Sequence, residues 1–473
     1  MIMFMQLSPV LFVISLILAF RRPPVQAAAG GAGLALVLWL GGAAAPFASP
    51  TLNAVIEDTL ILFASTAAVI APGLLFVIFI ERTGANRALA QWMTNFGWPL
   101  SVQIVFLVLG FAPMLESMTG FGVSMVATIP LLLTLVGRQT ALRLALTGMC
   151  IMPWGTLGLA TVIGAALAHI DAPALGGVTA FTSAPVFICA ALIALYLSGQ
   201  RSPLVYLFGL SSGIVFVLLL HFFSVWIGPE VAGVLSGGTV TLAGIAWVHW
   251  RLKSPVVFPL AAWPYATLLA AVLILKGLNL FAGLDLLWVL HGEQVSWKPL
   301  SSPGIALLVV DILLAAKLGF GGLNDEFIKR AKRPLLTILF FLLMSQVLLK
   351  AGFLESIRDA LAYLDTRSLA PLVAVLGSLS GYVTGSNVGG NAIVMPSLAI
   401  LNVDGPVLLI LSAIQNSAAG HAALGSLPIV ALVASIAKAD KHAEQSLIRF
   451  ALGLVLLNTL LVALVGYALL SFQ

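Results

Sequence analysis

Apolar runs long enough to cross a bilayer follow one another with few pauses from residue 4 to residue 471. About 20 apolar residues span the hydrocarbon core as a helix. Clear runs lie near 4–20, 25–47, 60–80, 177–199, 204–227, 231–250, 263–281, 303–318, 335–351 and 446–471. Composition closes off the alternatives. Only 8% of the 473 residues are charged and 61% are hydrophobic, whereas soluble domains carry about 25% charged residues. So few polar groups cannot cover a folded surface in water, which excludes a secreted enzyme, a nucleic-acid binder and a disordered scaffold. The formal charge of +5 fits the gathering of basic residues in cytoplasmic loops. Cys150 and Cys189 both lie in apolar runs, which argues against a disulfide framework or a cysteine-built zinc site. Charge follows the first run, at Arg21 and Arg22, rather than preceding it. That is the reverse of a cleavable signal, so residues 1–24 read as a retained membrane helix.

Two stretches, 101–168 and 370–436, are too long and too broken for one helix each. Arg82 and Arg87 precede the first hairpin-sized piece, 101–136, and Arg138 and Arg143 follow it. Basic residues at both ends place both ends in the cytoplasm, and one straight crossing cannot begin and end on the same side. A re-entrant hairpin can. Its turn falls at Glu116-Ser117-Met118-Thr119-Gly120-Phe121-Gly122, where glycines and polar side chains interrupt the apolar run. The stretch 370–403 repeats the form, with its ends outside and its turn at Thr384-Gly385-Ser386-Asn387-Val388-Gly389-Gly390-Asn391. Backbone exposed at membrane depth is tolerated only where protein buries it or a watery cavity lies beside it. Two such turns therefore point to a shared polar site.

A shift of 265 lays Thr119-Gly120 on Thr384-Gly385, Ala127 on Ala392 and Gly155 on Gly420. The expected fold is an all-α polytopic membrane protein with about 12 spanning helices plus two re-entrant hairpins in inverted-topology repeats, an organisation common among secondary transporters. The first repeat covers 25–200, with hairpin 101–136 and broken helix 141–168. Helices of 201–302 connect it to the second, 303–473, with hairpin 370–403 and broken helix 405–436.

The broken helices are expected to part at Met152–Gly158 and at Gln415–His421. Half-helix amino ends carry partial positive charge and free N–H groups that hold anions. The expected substrate-binding set is Ser117, Thr119, Gly120, Gly122, Thr384, Gly385, Ser386, Asn387, Asn391, Asn416, Ser417 and His421. Glu116 reads either as a proton carrier or as a cap on the returning half-helix. His421 titrates near neutral pH and is a second coupling candidate, or else a packing residue. Asp311 is a further acid within a span. No metal-ligand spacing, P-loop or nucleophile elbow is present, so neither an enzyme nor a bound cofactor is expected beyond a coupling proton or sodium ion.

At these residues the chain resembles the bacterial lactate permease family. That family has a Glu-x-x-x-Gly-Phe-Gly turn in its first half, matched by Glu116, Gly120, Phe121 and Gly122, and a Thr-Gly-Ser turn with a following Asn in its second, matched by Thr384, Gly385, Ser386 and Asn391. Its later segment of Asn and paired small residues is similar to Asn416 through Pro428. Two positions depart: Asn387 stands where the family usually has an acid, and His421 where it has a lysine. The resemblance implies a symporter, with proton-coupled uptake of lactate, glycolate or a similar monocarboxylate, and a place in the wider group of hairpin-built carboxylate transporters. The alternatives are a sodium-coupled carrier of another carboxylate and, in a different class, an anion channel. The expected surroundings are the lipid bilayer of a bacterial cytoplasmic (inner) membrane, with no nucleic-acid partner; a homodimer remains open.

Overall fold

The structure, a computed structural model, describes residues 2–94, 97–120, 122–253, 259–319, 321–361 and 363–473. Phe121 of the first turn lies outside them. Among the described residues eight helices are long and apolar enough to cross a membrane, or ten when each of two bent pairs is taken as one span. Shorter apolar helices at Phe4–Leu18, Pro24–Leu40 and Ser124–Leu135 accompany them. The protein is thus helical and multi-pass, with up to ten such spans among the described residues where about 12 are expected from the sequence.

One order of elements runs twice. Long helix Ser49–Thr83, short helix Ala85–Thr94, a helix–turn–helix pair of Leu100–Thr119 with Ser124–Leu135, and a broken helix form the first series. Helices Leu323–Lys350, Glu355–Leu361, Thr366–Thr384 with Asn387–Ala399, and again a broken helix form the second. The two long helices lie against each other antiparallel, because opposite ends are paired by charge. Lys350 Nζ is 2.9 Å from Asp58 Oδ2 at one end. At the other, Arg330 Nη2 is 2.7 Å from Glu81 Oε2 and Arg82 Nη2 is 3.3 Å from Glu326 Oε2. Asp58 and Glu81 stand 23 residues apart, about 35 Å at 1.5 Å per residue. The two ionic layers therefore bracket a hydrocarbon core of about 30 Å.

Three breaks follow from proline and glycine. The first broken helix bends by 56° between Arg138–Thr147 and Met152–Ala168. The second does not part at Gln415–His421 as expected: Gly405–Ala423 is one continuous helix, and the interruption comes at Leu424-Gly425-Ser426, before Leu427–Ile436. Pro428, in the first turn of that last piece, dictates the place, since a proline ring clashes with the carbonyl four residues back. The run at 177–199 is also not straight. It bends by 46° between Ala172–Thr182 and Ala184–Leu197, where Pro185 enters the second piece.

If both ends of the first helix–turn–helix pair share one side, Arg87→Cys and Arg138→Cys in a cysteine-free background react with an impermeant thiol reagent from the cytoplasm only. Arg367→Cys and Asp404→Cys react from outside only. Labelling of either pair from opposite sides eliminates the corresponding re-entrant hairpin.

Candidate functional site

The first turn is closed by a carboxylate. Gly120 (φ +67°) and Gly122 (φ +76°) reverse the chain in a region of backbone space that side chains disfavour. Glu116, 0% exposed, reaches over the tip: its Oε1 accepts from the Gly122 N–H at 2.9 Å and its Oε2 from the Ser124 hydroxyl at 2.6 Å. The first N–H groups of a helix lack partners within it, and a carboxylate there also meets the positive end of the helix dipole. Capping of the returning helix is therefore what Glu116 does in this structure. Thr119 donates to the Leu115 carbonyl at 2.7 Å, and buried Ser117 packs against Gly233.

The second turn uses different parts. The Gly385 N–H (φ +65°) donates to the Gly381 carbonyl at 2.9 Å, a left-handed cap of Thr366–Thr384. Ser386 then caps Asn387–Ala399, its hydroxyl accepting from the Gly389 N–H. Thr384 donates back to the Ser380 carbonyl at 2.8 Å.

Between the turns runs the break of the first broken helix. Thr156, Leu157 and Gly158 are consecutively left-handed, with φ of 52°, 54° and 67°. For a leucine this is an outlier that its surroundings must hold in place. They do: Gly158 lies directly on the Pro229 carbonyl, and Thr156 lies on Gly120, where a Cβ would run into the threonine hydroxyl.

These pieces enclose a cavity of about 150 Å³. Glu116 and Gly120 come from the first turn; Gly385, Ser386, Asn387 and Val388 from the second; Met152, Gly155, Thr156, Leu159 and Ala160 from the break. Ile429, and Ile70 and Ile338 of the two long helices, complete the wall. Ile70 is 12 residues from Asp58 and 11 from Glu81, so the cavity sits roughly 16–18 Å from each ionic layer. No lysine, arginine or histidine lines it. A second, larger space of about 890 Å³ lies at the basic end, among Arg82, Asn86 and Arg87 and the returning arm Val126–Thr134.

Behind the cavity a buried polar network joins the remaining residues. Asn387 and Asn391 both donate to Asn416 Oδ1, at 3.1 and 2.9 Å, and Asn391 also donates to the Ala160 carbonyl at 3.0 Å. Asn416 donates to the hydroxyls of Thr161 (2.9 Å) and Thr179 (3.2 Å). Ser183 donates to Ser417 at 2.9 Å, Thr182 bonds the same hydroxyl, and His421 Nε2 is 2.8 Å from Ser183 Oγ. The His421 ring stands edge-on to Phe187 at 5.7 Å. Of the expected residues, then, Glu116, Gly120, Gly385, Ser386 and Asn387 line the cavity. Asn391, Asn416, Ser417 and His421 stand behind it in one network, and Ser117, Thr119, Gly122 and Thr384 serve the turns. Thr156, Thr161, Thr179, Thr182 and Ser183 were not singled out from the sequence. Only Thr156 had a signal, its place in the Pro-Trp-Gly-Thr-Leu-Gly run. Asp311 is buried without a hydrogen-bond partner and does not line the cavity.

No protein-family model matches the chain. The resemblance read from the two turns extends further: the chain is 21% identical over 325 residues to an L-lactate permease of Streptococcus iniae, a match covering 62% of this chain and 68% of that protein. The similarity to a lactate permease is thus distant and extends well beyond the two turns. Its fold is similar to the crystal structure of the Alcanivorax borkumensis YdaH transporter, with a TM-score of 0.52 and 14% identity, over 95% of this chain and 99% of that one. Both of those proteins are named as transport proteins.

Gly120→Ala is expected to cost at least about 1–3 kcal/mol from overpacking and strain, read as a lower thermal unfolding midpoint of the purified protein. Adding Thr156→Gly removes the steric part and restores some of the loss. An unchanged midpoint for Gly120→Ala refutes the contact between turn and break.

Proposed function

We propose that the protein is a secondary active transporter that takes up a small monocarboxylate with a proton, by alternating access, in the cytoplasmic membrane of a bacterium. The two turns are read as re-entrant hairpins of inverted repeats. The antiparallel pairing of the two long helices, equivalent members of the two series, supports the inversion. The observation that carries the reading is the meeting of both turns and the break at one small cavity midway between the ionic layers. Secondary transporters bind at such a depth, between broken helices.

The lining favours a small amphipathic anion. Its volume equals the liquid share of about five waters, its walls mix isoleucine, leucine, valine and methionine with Thr156, Ser386 and Asn387, and the positive end of Asn387–Ala399 opens onto it. With no basic side chain in the lining, a doubly charged anion would be poorly compensated. Glu116 supplies the coupling. A second negative charge in so small a space repels the first, so a proton on Glu116 favours substrate, and substrate favours the proton. Movement of the hairpins and broken helices against the wall formed by Ile70 and Ile338 would expose the cavity to either side in turn.

One observation favours a second reading. Asn387 Oδ1, Asn391 Oδ1 and Gln415 Oε1 are buried acceptors without a hydrogen-bond donor, and oxygens in that condition suit a sodium ion.

Purified protein in liposomes separates these readings. An inward proton gradient should drive concentrative, saturable uptake of lactate or glycolate. Glu116→Gln should abolish uphill uptake while leaving exchange partly intact. Uptake driven by sodium alone moves the coupling to the asparagine oxygens, and non-saturable flux makes the protein a channel.

A further inference from the structure

One segment with β structure among the described residues lies at the end opposite the basic cluster, and a crevice beside it shares Leu159 with the lining of the cavity. Residues 288–302 form a two-stranded antiparallel hairpin, pairing Leu290 with Trp297 and His291 with Ser296, followed by a short 3-10 turn, Pro299–Ser301. An extended, non-helical stretch laid against a helical membrane protein has to be held by something other than its own few hydrogen bonds.

Its tip is held by a buried ion pair. The backbone N–H groups of Glu293 and Gln294 donate to Asp58 at 2.8 and 3.2 Å. Lys350 Nζ lies 2.9 Å from the same carboxylate and 2.6 Å from Glu293 Oε2. The side chains of Asp58 and Lys350 are only 0% and 4% exposed. Removing two charges from water is costly, and a pair so buried is weak evidence for stability by itself. Here it does something specific: it fastens the tip to both long helices at once. Gly292 lets the tip sit that close, since a Cβ would strike the Asp58 carboxylate. The other end of the segment runs deeper. Gly304, bonded to Ser302, rests on the Ala68 carbonyl, ten residues beyond Asp58 and two short of Ile70 at the cavity. Along the Ser49–Thr83 helix the segment thus runs from the outer ionic layer almost to the depth of the cavity.

Its contacts with the end of the second helix–turn–helix pair and with the first broken helix are of another kind. A crevice of about 400 Å³ lies among Gln294, His169, Leu349, Ala399 and Ile400. Another, of about 230 Å³, lies between the 296–303 stretch and Leu157, Leu159 and Val162. The imidazole of His169 meets the Gln294 backbone, and burial holds it below the ordinary histidine range despite the nearby Asp58. One side of the segment is bolted by charge; the other is loosely filled.

We infer that segment 288–302 is the outer gate, carried permanently by the two long helices through Asp58 and Lys350, and that outward opening parts it from Leu157–His169 and Ala399–Ile400. This rests on the alternating-access reading above, but its test does not require transport. Val162→Cys, in a background lacking Cys150 and Cys189, reports the crevice beside the gate to an impermeant thiol reagent applied to intact cells. Asp58→Asn unfastens the tip and should raise the labelling rate at least about tenfold, a factor corresponding to about 1.4 kcal/mol. Because Asp58→Asn leaves buried Lys350 with only the half-exposed carboxylate of Glu293 as partner, a cost to folding is controlled by Asp58→Asn with Lys350→Met, which removes both buried charges together and should give the same rise. A bifunctional thiol reagent joining Gln294→Cys to Ile400→Cys should hold labelling at Val162→Cys at its minimum in either background. Labelling unchanged by both Asp58 variants, in protein that still folds, overturns the gate. Raised labelling in protein that carries no monocarboxylate keeps the gate and overturns the proposed function instead.

Discussion

In the proposed re-entrant arrangement, backbone hydrogen bonding at mid-membrane depth is the constraint on which the rest of the structure depends. A helix that stops inside the hydrocarbon layer leaves N–H and C=O groups that lipid cannot satisfy, so every interruption needs a partner within the protein. Glu116 caps one return helix, Ser386 caps the other, and the left-handed Thr156–Gly158 stretch is packed between Gly120 and Pro229. The interruptions can exist only where they support one another. That is why they converge, and their convergence makes the cavity.

The long antiparallel helices supply the frame for that convergence. Charges at both ends fix how far one can slide along the other, and the distance between the ionic layers matches a bilayer core. Pinned in this way, Ile70 and Ile338 face the turns at half height. The glycines at 377 and 381 bring Thr366–Thr384 close to the Gly405–Ala423 helix, where a Cβ on Gly381 would strike the Ala419 carbonyl. Close approach at small residues is how membrane helices associate where no hydrophobic drive exists. Gly390 and Gly420, where a Cβ would meet Ala419 and Asn387, likewise bring Asn416 within reach of Asn387 and Asn391.

Much of this was legible in the chain because an apolar background makes interruptions conspicuous. Glu116 through Gly122 and Thr384 through Asn391 stand out by composition alone, and the structure forms its two tips there. Proline position decided what was not legible. Gly420 and the polar residues around it looked like a break, yet their side chains find partners across the interface and the helix continues until Pro428 imposes its stop. Thr161, Thr179, Thr182 and Ser183 look like any small hydroxyl residue in a membrane helix; only tertiary contact distinguishes them. His421 is expected beside the substrate because it sits near an interruption in the sequence; in the structure it does not line the cavity and meets Ser183 instead. The pairing of Asp58 with Lys350, far apart in sequence, leaves no local trace.

In the proposed mechanism one proton is tied to one small anion at the turn between Leu100–Thr119 and Ser124–Leu135. Proton uptake on substrate binding, measured with a pH-sensitive dye in weakly buffered detergent solution, tests that link without a membrane. Lactate or glycolate at saturating concentration should take up about one proton per protein at a pH where Glu116 is ionised in the empty cavity, and none in Glu116→Gln. Binding without proton uptake, or with equal uptake in the variant, would contradict the central role given to Glu116.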